Sequence, residues 1–428
     1  SKVISNKSPF RYYGVKCDKE VFNFEKELGE YLSTSSLSNN NQHNKVYVTA
    51  VNSGTGALEI ALDVLGVGSG DEVIVPGFMW ISSISAIIRS RAIPVLVDSD
   101  QTLGVDPEDL KVKISERTKV IMVVPMLGGS SKVGEIMEVV RNVNNSRKKD
   151  NLSKIFVLED CAQSLGAHAF GIPGSSQTSL PEGCYKLGTF GDIGTFSLQL
   201  NKDITAGEGG MVVTRDKELN DRVDALHNAG YIKKEKNNIN WYGDIPYGWG
   251  HGRRMSELQG AVARVQLKKL DSILDNIRKN HSFFEEFFKK QGIKLRKRAY
   301  QNNPGDTGYY LCFHLPENLD DNTAISKGRE IAKDLKDKGF NVWFLHDFEV
   351  HMYYNIEPLV KKVPMNDGSP WEDPKNSFHT QFKYDRGALP KLDHLLIRTI
   401  GLNMPSKMSD NTRDNMMNDL LVTLNNLY

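Results

Sequence analysis

The chain has 428 residues, of which 39% are hydrophobic and 25% are charged, and its 54 Lys and Arg residues balance 53 Asp and Glu residues to a formal net charge of +1. This composition is typical of a globular protein and excludes the disordered, collagen-like and coiled-coil classes. The near-neutral charge excludes a broad basic surface that would bind a nucleic acid backbone or an anionic membrane.

Neither the cysteines nor the hydropathy pattern indicates an extracellular or membrane protein. The opening sequence SKVISNKSPFRYYG lacks the apolar core of a signal peptide, and no apolar run has the length of a membrane span. The cysteines are far apart and form no CxxC pair, so we expect neither a disulfide scaffold nor a structural zinc site. They are Cys17, Cys161, Cys184 and Cys312. We therefore expect a soluble cytoplasmic protein.

The first half of the chain predicts a sheet covered by helices on both faces. An amphipathic helix is predicted over residues 20–32, and a strand, an Asn-Ser-Gly-Thr turn and a second helix follow. Continuous apolar runs then alternate with helix-like segments, which is typical of buried parallel strands in a doubly wound α/β sheet. The predicted strands are 72–76, 93–98, 119–125, 154–160, 194–199 and 210–214.

The second half predicts a smaller α+β domain. A long helical stretch over 255–288 leads into it, strand candidates lie at 309–315 and 340–346, and a final helix is predicted over 409–424. We therefore divide the chain into a large domain, residues 1–270, which includes the N-terminal helix, and a smaller C-terminal domain, residues 271–428.

Several common catalytic motifs are absent from the sequence. It contains no GxxxxGK[ST], GxSxG or HExxH motif, so ATP, serine-hydrolase and metal chemistry have no support. The segment GVGSGD (66–71) follows a helix and precedes a strand, the reverse of a dinucleotide-binding turn. We interpret it as a helix stop.

Other segments place reactive side chains where predicted strands end. Ser53, Gly54 and Thr55 begin a helix, where free amides and hydroxyls can bind a phosphate, although a plain helix cap is the simpler alternative. Asp160 ends a buried strand, where ligands of such sheets bind, but it could equally cap the next helix. Lys202 is followed by glycines, and partial burial would lower its pKa for attack on a carbonyl. Together these groups meet the requirements of pyridoxal phosphate.

At these positions the sequence resembles the DegT/DnrJ/EryC1 family of pyridoxal-phosphate-dependent sugar aminotransferases. The resemblance spans residues 11–270 and continues more weakly to the end. It implies the aspartate-aminotransferase fold (fold type I), pyridoxal 5'-phosphate as cofactor, and a homodimer whose active sites lie at the subunit interface. The motifs that carry it, in the family's order and spacing, are NSGTGAL, DEVIVPGFMW, LEDCAQSLGA, GTFGDIGTFS, NKDITAGEGGMVVT and RRMSELQGA.

The resemblance also implies roles for individual residues. Lys202 would be the catalytic lysine that bonds to the cofactor and moves the proton, and Asp160 would pair with the pyridinium nitrogen. Gln163 would lie near the phenolic oxygen. Trp80 would stack on the ring, and an indole just past a strand end suits that role, although an ordinary core Trp is the alternative. The full predicted cofactor-binding set is Ser53, Gly54, Thr55, Trp80, Asp160, Gln163, Ser197, Lys202 and Arg253.

Two departures from the family pattern concern the edges of the site. Where the family has Asn in its Asn-x-Arg-Met motif, this chain has Gly252, which puts the phosphate contact from the partner subunit in doubt. Arg253 or His251 would have to supply a cation instead. The link at 171–186 is longer than usual and is expected to shape the substrate mouth.

The resemblance implies a two-step transamination from L-glutamate to a keto- or aldehydo-sugar. The segments PFRYYG, GTFSLQLNKDITAGEGG and HMYYN (351–355) are most similar to the branch that handles 8-amino-3,8-dideoxy-manno-octulosonate for lipopolysaccharide, with Arg11 and Arg253 as candidate carboxylate clamps. Open alternatives are a nucleotide-linked 3-keto or 4-keto sugar as substrate, and a non-catalytic cofactor-binding regulator. A sugar dehydratase of the same family is disfavoured because those enzymes have His in place of the lysine.

Overall fold

The computed structural model describes residues 2–12, 19–33, 45–174, 181–230, 248–300 and 305–424. Within these ranges no helix combines the length and the apolar character that crossing a bilayer requires. Cys161, Cys184 and Cys312 are free thiols, and Cys17 lies outside the described residues.

A seven-stranded sheet forms the centre of the molecule. The strands of the described ranges are β1 (Tyr47–Val51), β2 (Glu72–Pro76), β3 (Ile93–Val97), β4 (Thr118–Val123), β5 (Phe156–Asp160), β6 (His168–Gly171), β7 (Gly183–Lys186), β8 (Ile193–Ser197), β9 (Gly210–Thr214), β10 (Tyr310–His314), β11 (Val342–Phe344) and β12 (Thr399–Asn403). The large sheet has the order β1-β9-β8-β5-β4-β2-β3. Its strands from β8 to β3 are parallel, and β9 runs antiparallel to both of its neighbours. The predicted strands of the first half are thereby confirmed.

Helices cover both faces of this sheet and also pack around a smaller sheet in the C-terminal part of the chain. They are α1 (Lys2–Ser5), α2 (Glu20–Ser33), α3 (Gly54–Val64), α4 (Ile81–Arg89), α5 (Pro107–Lys113), α6 (Val133–Lys149), α7 (Lys217–Leu226), α8 (Glu257–Leu267), α9 (Leu270–Lys290), α10 (Asp321–Asp337), α11 (Glu357–Val360), α12 (Pro390–Leu396) and α13 (Asp410–Leu424). Helix α3 stops at Gly66, which has a left-handed φ of 71°, so the interpretation of GVGSGD as a helix stop is confirmed.

The helical stretch predicted over 255–288 consists of two helices, because the chain interrupts it between Leu267 and Leu270. The two helices have different packing partners. Helix α8 packs on α2, whereas α9 begins in the core of the large sheet with Leu274 and continues into the core of the smaller sheet with Phe284. The predicted domain boundary at residue 270 falls at the start of this shared helix and stays a prediction.

The strand candidates at 309–315 and 340–346 form β10 and β11 of a small antiparallel sheet, and β12, which the sequence did not predict, lies between them. A second segment of this part, between β11 and β12, packs instead on the large sheet. Tyr353 and Leu392 belong to the same buried cluster as strand β2. The backbone N–H of Tyr353 donates to the carbonyl of Gly77 at 2.9 Å, directly after β2. This contact fixes the C-terminal segment on the carboxyl edge of the large sheet.

We predict that Gly77→Ala lowers the free energy of unfolding by about 1–3 kcal/mol, because overpacking a dense core displaces its neighbours. A Cβ atom at position 77 would lie 2.2 Å from Leu389 Cδ1 and 2.7 Å from Leu392 Cδ2. Gly68→Ala is the matched control, since no heavy atom lies within 4 Å of its Cβ position. Urea denaturation measures both variants, and equal midpoints would contradict the contact between Gly77 and helix α12.

Candidate active site

The predicted site residues meet at the carboxyl edge of the large sheet. Asp160 is the last residue of β5, and Ser197 is the last residue of the adjacent parallel strand β8. Ser53 follows β1 and caps α3, and Trp80 precedes α4 just after β2. Ligands of open parallel sheets bind outside this edge, so the topology brings together residues that are far apart in the chain.

The start of helix α3 forms a cradle of amides and hydroxyls. The Oγ of Ser53 accepts a hydrogen bond from a first-turn backbone N–H at 3.0 Å, and Thr55 Oγ1 lies 2.8 Å from Ser82 Oγ. A Cβ atom on Gly54 would lie 2.9 Å from the Cβ of Ser197, so only glycine lets the two segments approach this closely. Free amides, hydroxyls and the positive end of the helix dipole suit a phosphate dianion.

Two consecutive carboxylates at the end of β5 have different environments. Glu159 is fully buried and accepts backbone N–H groups of Gly188, Phe190 and Gly191 at 2.7–2.8 Å, which braces the loop before β8. Asp160 accepts the hydroxyl of Ser83 at 2.8 Å, and burial raises its pKa above the ordinary value. The hydrogen bonds and the charge of Lys202 act in the opposite direction on that pKa. Asp160 is therefore the carboxylate placed to pair with a cationic group of a ligand.

Lys202 lies in the turn after β8, where its backbone N–H donates to the carbonyl of Gln199 at 3.1 Å. Burial lowers the pKa of its amine below the ordinary value, while the charges of Asp160 and Asp203 raise it again. Because desolvation is the largest of these effects, the amine gives up its proton more readily than a surface lysine does. This is the property that an attacking amine requires.

The side chain of Trp80 is 41% exposed and contacts an imidazole from the C-terminal segment. The ring centroids of Trp80 and His351 are 4.8 Å apart, and the His351 ring stacks on Phe348 at 3.9 Å. Burial lowers the pKa of His351 to about 4, and the charge of Lys202 adds to this effect. His351 was absent from the predicted set, although it belongs to the HMYYN stretch. The neutral imidazole thus lies at the edge of the site beside Trp80.

Gln163 follows Asp160 in the same turn. Its amide oxygen accepts the backbone N–H of Leu127 at 2.9 Å, which leaves the amide nitrogen as the donor for a ligand. This arrangement is compatible with a contact to a phenolic oxygen.

The candidate cations of the 251–253 segment are bound to helix α3 of their own chain. Arg253 forms an ion pair with Glu59, and His251 Nε2 lies 2.9 Å from Asp63 Oδ2. Arg253 runs alongside the cradle, because its Cδ would lie 3.1 Å from a Cβ on Gly56. Glu59 also forms an ion pair with Arg89 at 3.1 Å, so two guanidinium groups share this carboxylate. The role of Arg253 at the phosphate stays a prediction.

The structure does not support Arg11 as a substrate clamp. Its guanidinium is buried, pairs with Glu25 of α2 and donates to the carbonyl of Ala50 at 2.6 Å. These contacts join α2 to β1.

The long link at 171–186 is described in part. Strands β6 and β7 form an antiparallel hairpin, and residues 175–180 lie outside the described ranges. The hairpin packs on α6, where a Cβ on Gly134 would lie 2.3 Å from the carbonyl oxygen of Phe170. Its influence on the substrate mouth stays a prediction.

The donor set of this edge fits pyridoxal phosphate. The cradle at α3 can hold the phosphate, Asp160 can hold a protonated ring nitrogen, and the exposed face of Trp80 can cover the ring. Lys202 offers the amine for the aldehyde. When bound, this cofactor supplies an electron sink for a carbanion next to nitrogen.

Comparison with known proteins agrees with this fit. The model of the DegT/DnrJ/EryC1/StrS aminotransferase family matches residues 16–363. A GDP-perosamine synthase of Escherichia coli O157:H7 is 37% identical over 251 residues, which are 58% of this chain and 61% of that protein. An L-glutamine:2-deoxy-scyllo-inosose aminotransferase of Streptomyces kanamyceticus is 32% identical over 282 residues, 64% of this chain and 60% of that protein. The chain thus spans about six tenths of the length of these curated relatives.

Solved structures share the fold over nearly the whole chain. A 3-amino-5-hydroxybenzoic acid synthase superposes with a TM-score of 0.73 at 22% identity and covers 99% of this chain and 94% of its own. A putative sugar aminotransferase of Streptococcus pneumoniae in its PLP form has a TM-score of 0.70 at 20% identity and covers 100% of this chain and 95% of its own. The predictions of the fold type I class and of a pyridoxal phosphate cofactor are confirmed.

Proposed function

The chain belongs to the DegT/DnrJ/EryC1/StrS aminotransferase family, and we propose that it is an aminotransferase that moves an amino group from L-glutamate to a keto- or aldehydo-sugar. The observation that carries this proposal is that Lys202 and Asp160 lie near enough for each charge to shift the pKa of the other. Asp160 is buried at the end of β5, and Lys202 is half-buried in the turn after the adjacent parallel strand β8, beside the anion cradle of α3. A partly desolvated amine, a buried carboxylate and a phosphate site are the parts that transamination requires.

Each residue then has a distinct task. Lys202 would bond to the aldehyde carbon of the cofactor, and its amine would take up and return the proton that transamination moves, which is acid–base work by a positioned amine. Asp160 would hold the protonated ring nitrogen. Gln163 would donate to the phenolic oxygen, and Trp80 would cover a ring face. The phosphate would be held by Ser53, Gly54, Thr55 and Ser197.

The names of the relatives support the part of the proposal that makes the amino-group acceptor a sugar or a sugar-like ketone. The Escherichia coli relative is named for a GDP-linked sugar and the Streptomyces relative for an inosose. A nucleotide-linked keto-sugar is therefore the first candidate acceptor. The octulosonate of lipopolysaccharide stays the second candidate, because it depends on the sequence similarity of PFRYYG, GTFSLQLNKDITAGEGG and HMYYN. The amine at Lys202 argues against a dehydratase.

We predict that Lys202→Ala abolishes turnover and retains pyridoxal phosphate, because the phosphate cradle and Asp160 are unchanged. Borohydride reduction of the wild-type protein should leave a pyridoxyl adduct on the peptide that spans residues 198–210, detected by mass spectrometry, and the variant should carry none. Lys111→Ala, at an exposed lysine of α5 that pairs with Glu108, is the control and should behave as wild type. Residual turnover in Lys202→Ala would refute the catalytic role.

We also predict that L-glutamate bleaches the visible absorbance of the loaded protein and that a keto-sugar restores it. The two half-reactions are then observed separately in one cuvette. L-Glutamine is the comparison donor, and the acceptors are a GDP-linked 4-keto-hexose, 2-deoxy-scyllo-inosose and the 8-oxo octulosonate. If no amino acid bleaches the absorbance, the non-catalytic alternative is favoured instead.

A homodimer with shared active sites is part of this proposal, and an exposed apolar surface supports it. Helix α8 exposes Leu258, Val262 and Val265, at spacings of four and three residues, by 40%, 47% and 54%. Trp249 is 95% exposed and Leu200, two residues before Lys202, is 67% exposed. Contiguous apolar side chains of this kind mark interfaces. Because Leu200 adjoins the catalytic turn, a second copy docked here would border the site.

We predict that Val262→Asp disrupts the dimer, because a carboxylate would be desolvated in an apolar interface. Light scattering coupled to size exclusion should give twice the chain mass for the wild type and the chain mass for the variant. Val422→Asp is the matched control, since Val422 is 62% exposed on α13. A wild-type protein with the mass of a single chain would contradict the shared-site arrangement.

A further inference from the structure

Asp203 follows Lys202 directly, and its carboxylate contacts the turn that carries Gln163. The backbone N–H of Leu165, two residues beyond Gln163, lies close enough to this carboxylate to lower its pKa. Its Oδ1 atom is buried and has no hydrogen-bond partner within the described part of the chain. A buried carboxylate oxygen without a partner is costly, so its retention in this position indicates a task in the loaded site.

Helix α9 holds the same turn from the other side. Arg278 Nη2 donates to the carbonyl of Gly166 at 2.9 Å, and its Nε donates to the carbonyl of Asp306 at 3.0 Å. The 163–166 turn is therefore fixed between an anion beside the N–H of Leu165 and a cation that donates to Gly166. Asp203, the anion of this pair, is the residue next to the catalytic Lys202 in the chain.

The charged groups around Asp203 determine its protonation. Lys202 from its own turn and Arg278 from α9 stabilise the carboxylate, whereas burial raises its pKa to about 7. Burial is the main cause that raises the pKa of the phenols of Tyr31 on α2 and Tyr309 before β10, and the nearby charge of Asp203 adds a smaller contribution in the same direction.

The charge on Lys202 has two compensating carboxylates, Asp160 and Asp203. A protonated ring nitrogen would engage Asp160 when the cofactor is bound. Asp203 is then the carboxylate left to compensate a positive charge at the lysine nitrogen.

We propose that Asp203 is a positioning residue of the proposed transamination, which fixes the Lys202 turn on the 163–166 turn and supplies the negative charge that balances the lysine nitrogen in the loaded site. It adds to the predicted set a residue that neither motif nor spacing indicated. The proposal rests on the proposed function, because it assumes that Lys202 binds the cofactor.

The test replaces the carboxylate by an amide of the same shape. Asp203→Asn keeps an acceptor for Leu165 and removes the charge, so the positive form of the lysine-linked nitrogen loses stabilisation. The pH midpoint of the visible-absorbance change of the loaded protein should therefore fall by about one unit. Asp192→Asn is the control, because Asp192 is a buried carboxylate just before the opposite end of β8, held by Lys154 and the N–H of Val157. An unchanged midpoint in Asp203→Asn would overturn the proposal.

A second measurement needs no cofactor. In the cofactor-free protein, acetic anhydride should label Lys202 faster in Asp203→Asn than in wild type at pH 7.5, because more of the amine is unprotonated. Equal rates would overturn the proposal and leave the proposed function intact, whereas a wild-type protein without a borohydride adduct would refute the proposed function itself. If Asp203→Asn fails to fold, Asp203→Glu provides the test. It keeps the charge, so its midpoint should match wild type, and a fall of about one unit would count against the proposal.

Discussion

The site depends on the withdrawal of Lys202 from water beside carboxylates that limit the cost of burying it. Desolvation lowers the pKa of the amine, and Asp160 and Asp203 raise it back. Desolvation favours the neutral amine that attacks a carbonyl, and the neighbouring carboxylates favour the protonated amine that acts as an acid. Asp160 ends β5, and Lys202 and Asp203 lie in the turn after the adjacent parallel strand β8, so the sheet brings the three groups to the same edge.

The C-terminal segment packs on the same edge of the sheet. Its hydrogen bonds to the turn after β2 place His351 against Trp80, whose side chain is still 41% exposed. Gly77 permits the contact because its missing side chain leaves room for Leu389 and Leu392. The smaller part of the molecule therefore reaches the site through its packing on β2, and a loss of that packing would move His351 away from Trp80 as well as destabilise the fold.

The sequence predicted the large sheet well, because buried parallel strands leave continuous apolar runs that flanking turns delimit. It predicted Asp160 and Lys202 for the same reason, since both follow such runs. It did not predict the break between α8 and α9, because no Gly or Pro marks the boundary. The two helices differ instead in the elements on which they pack. His351 and Asp203 were also missed, because their positions depend on contacts between distant segments. Single-sequence periodicity carries no record of such contacts.

The phosphate end of the site combines an unusual residue with cations that are already paired. Gly252 stands where the resemblance expects Asn, and the neighbouring Arg253 and His251 pair with Glu59 and Asp63. The amides, hydroxyls and dipole of α3 are the groups that the cradle itself offers to a phosphate, and together they are weaker than a full charge. Apolar Trp249 and helix α8 lie next to this segment in the chain and are exposed. A docked second copy would lower the local dielectric there and strengthen each of these dipolar contacts, so dimerisation can supply affinity for the phosphate without supplying a cation.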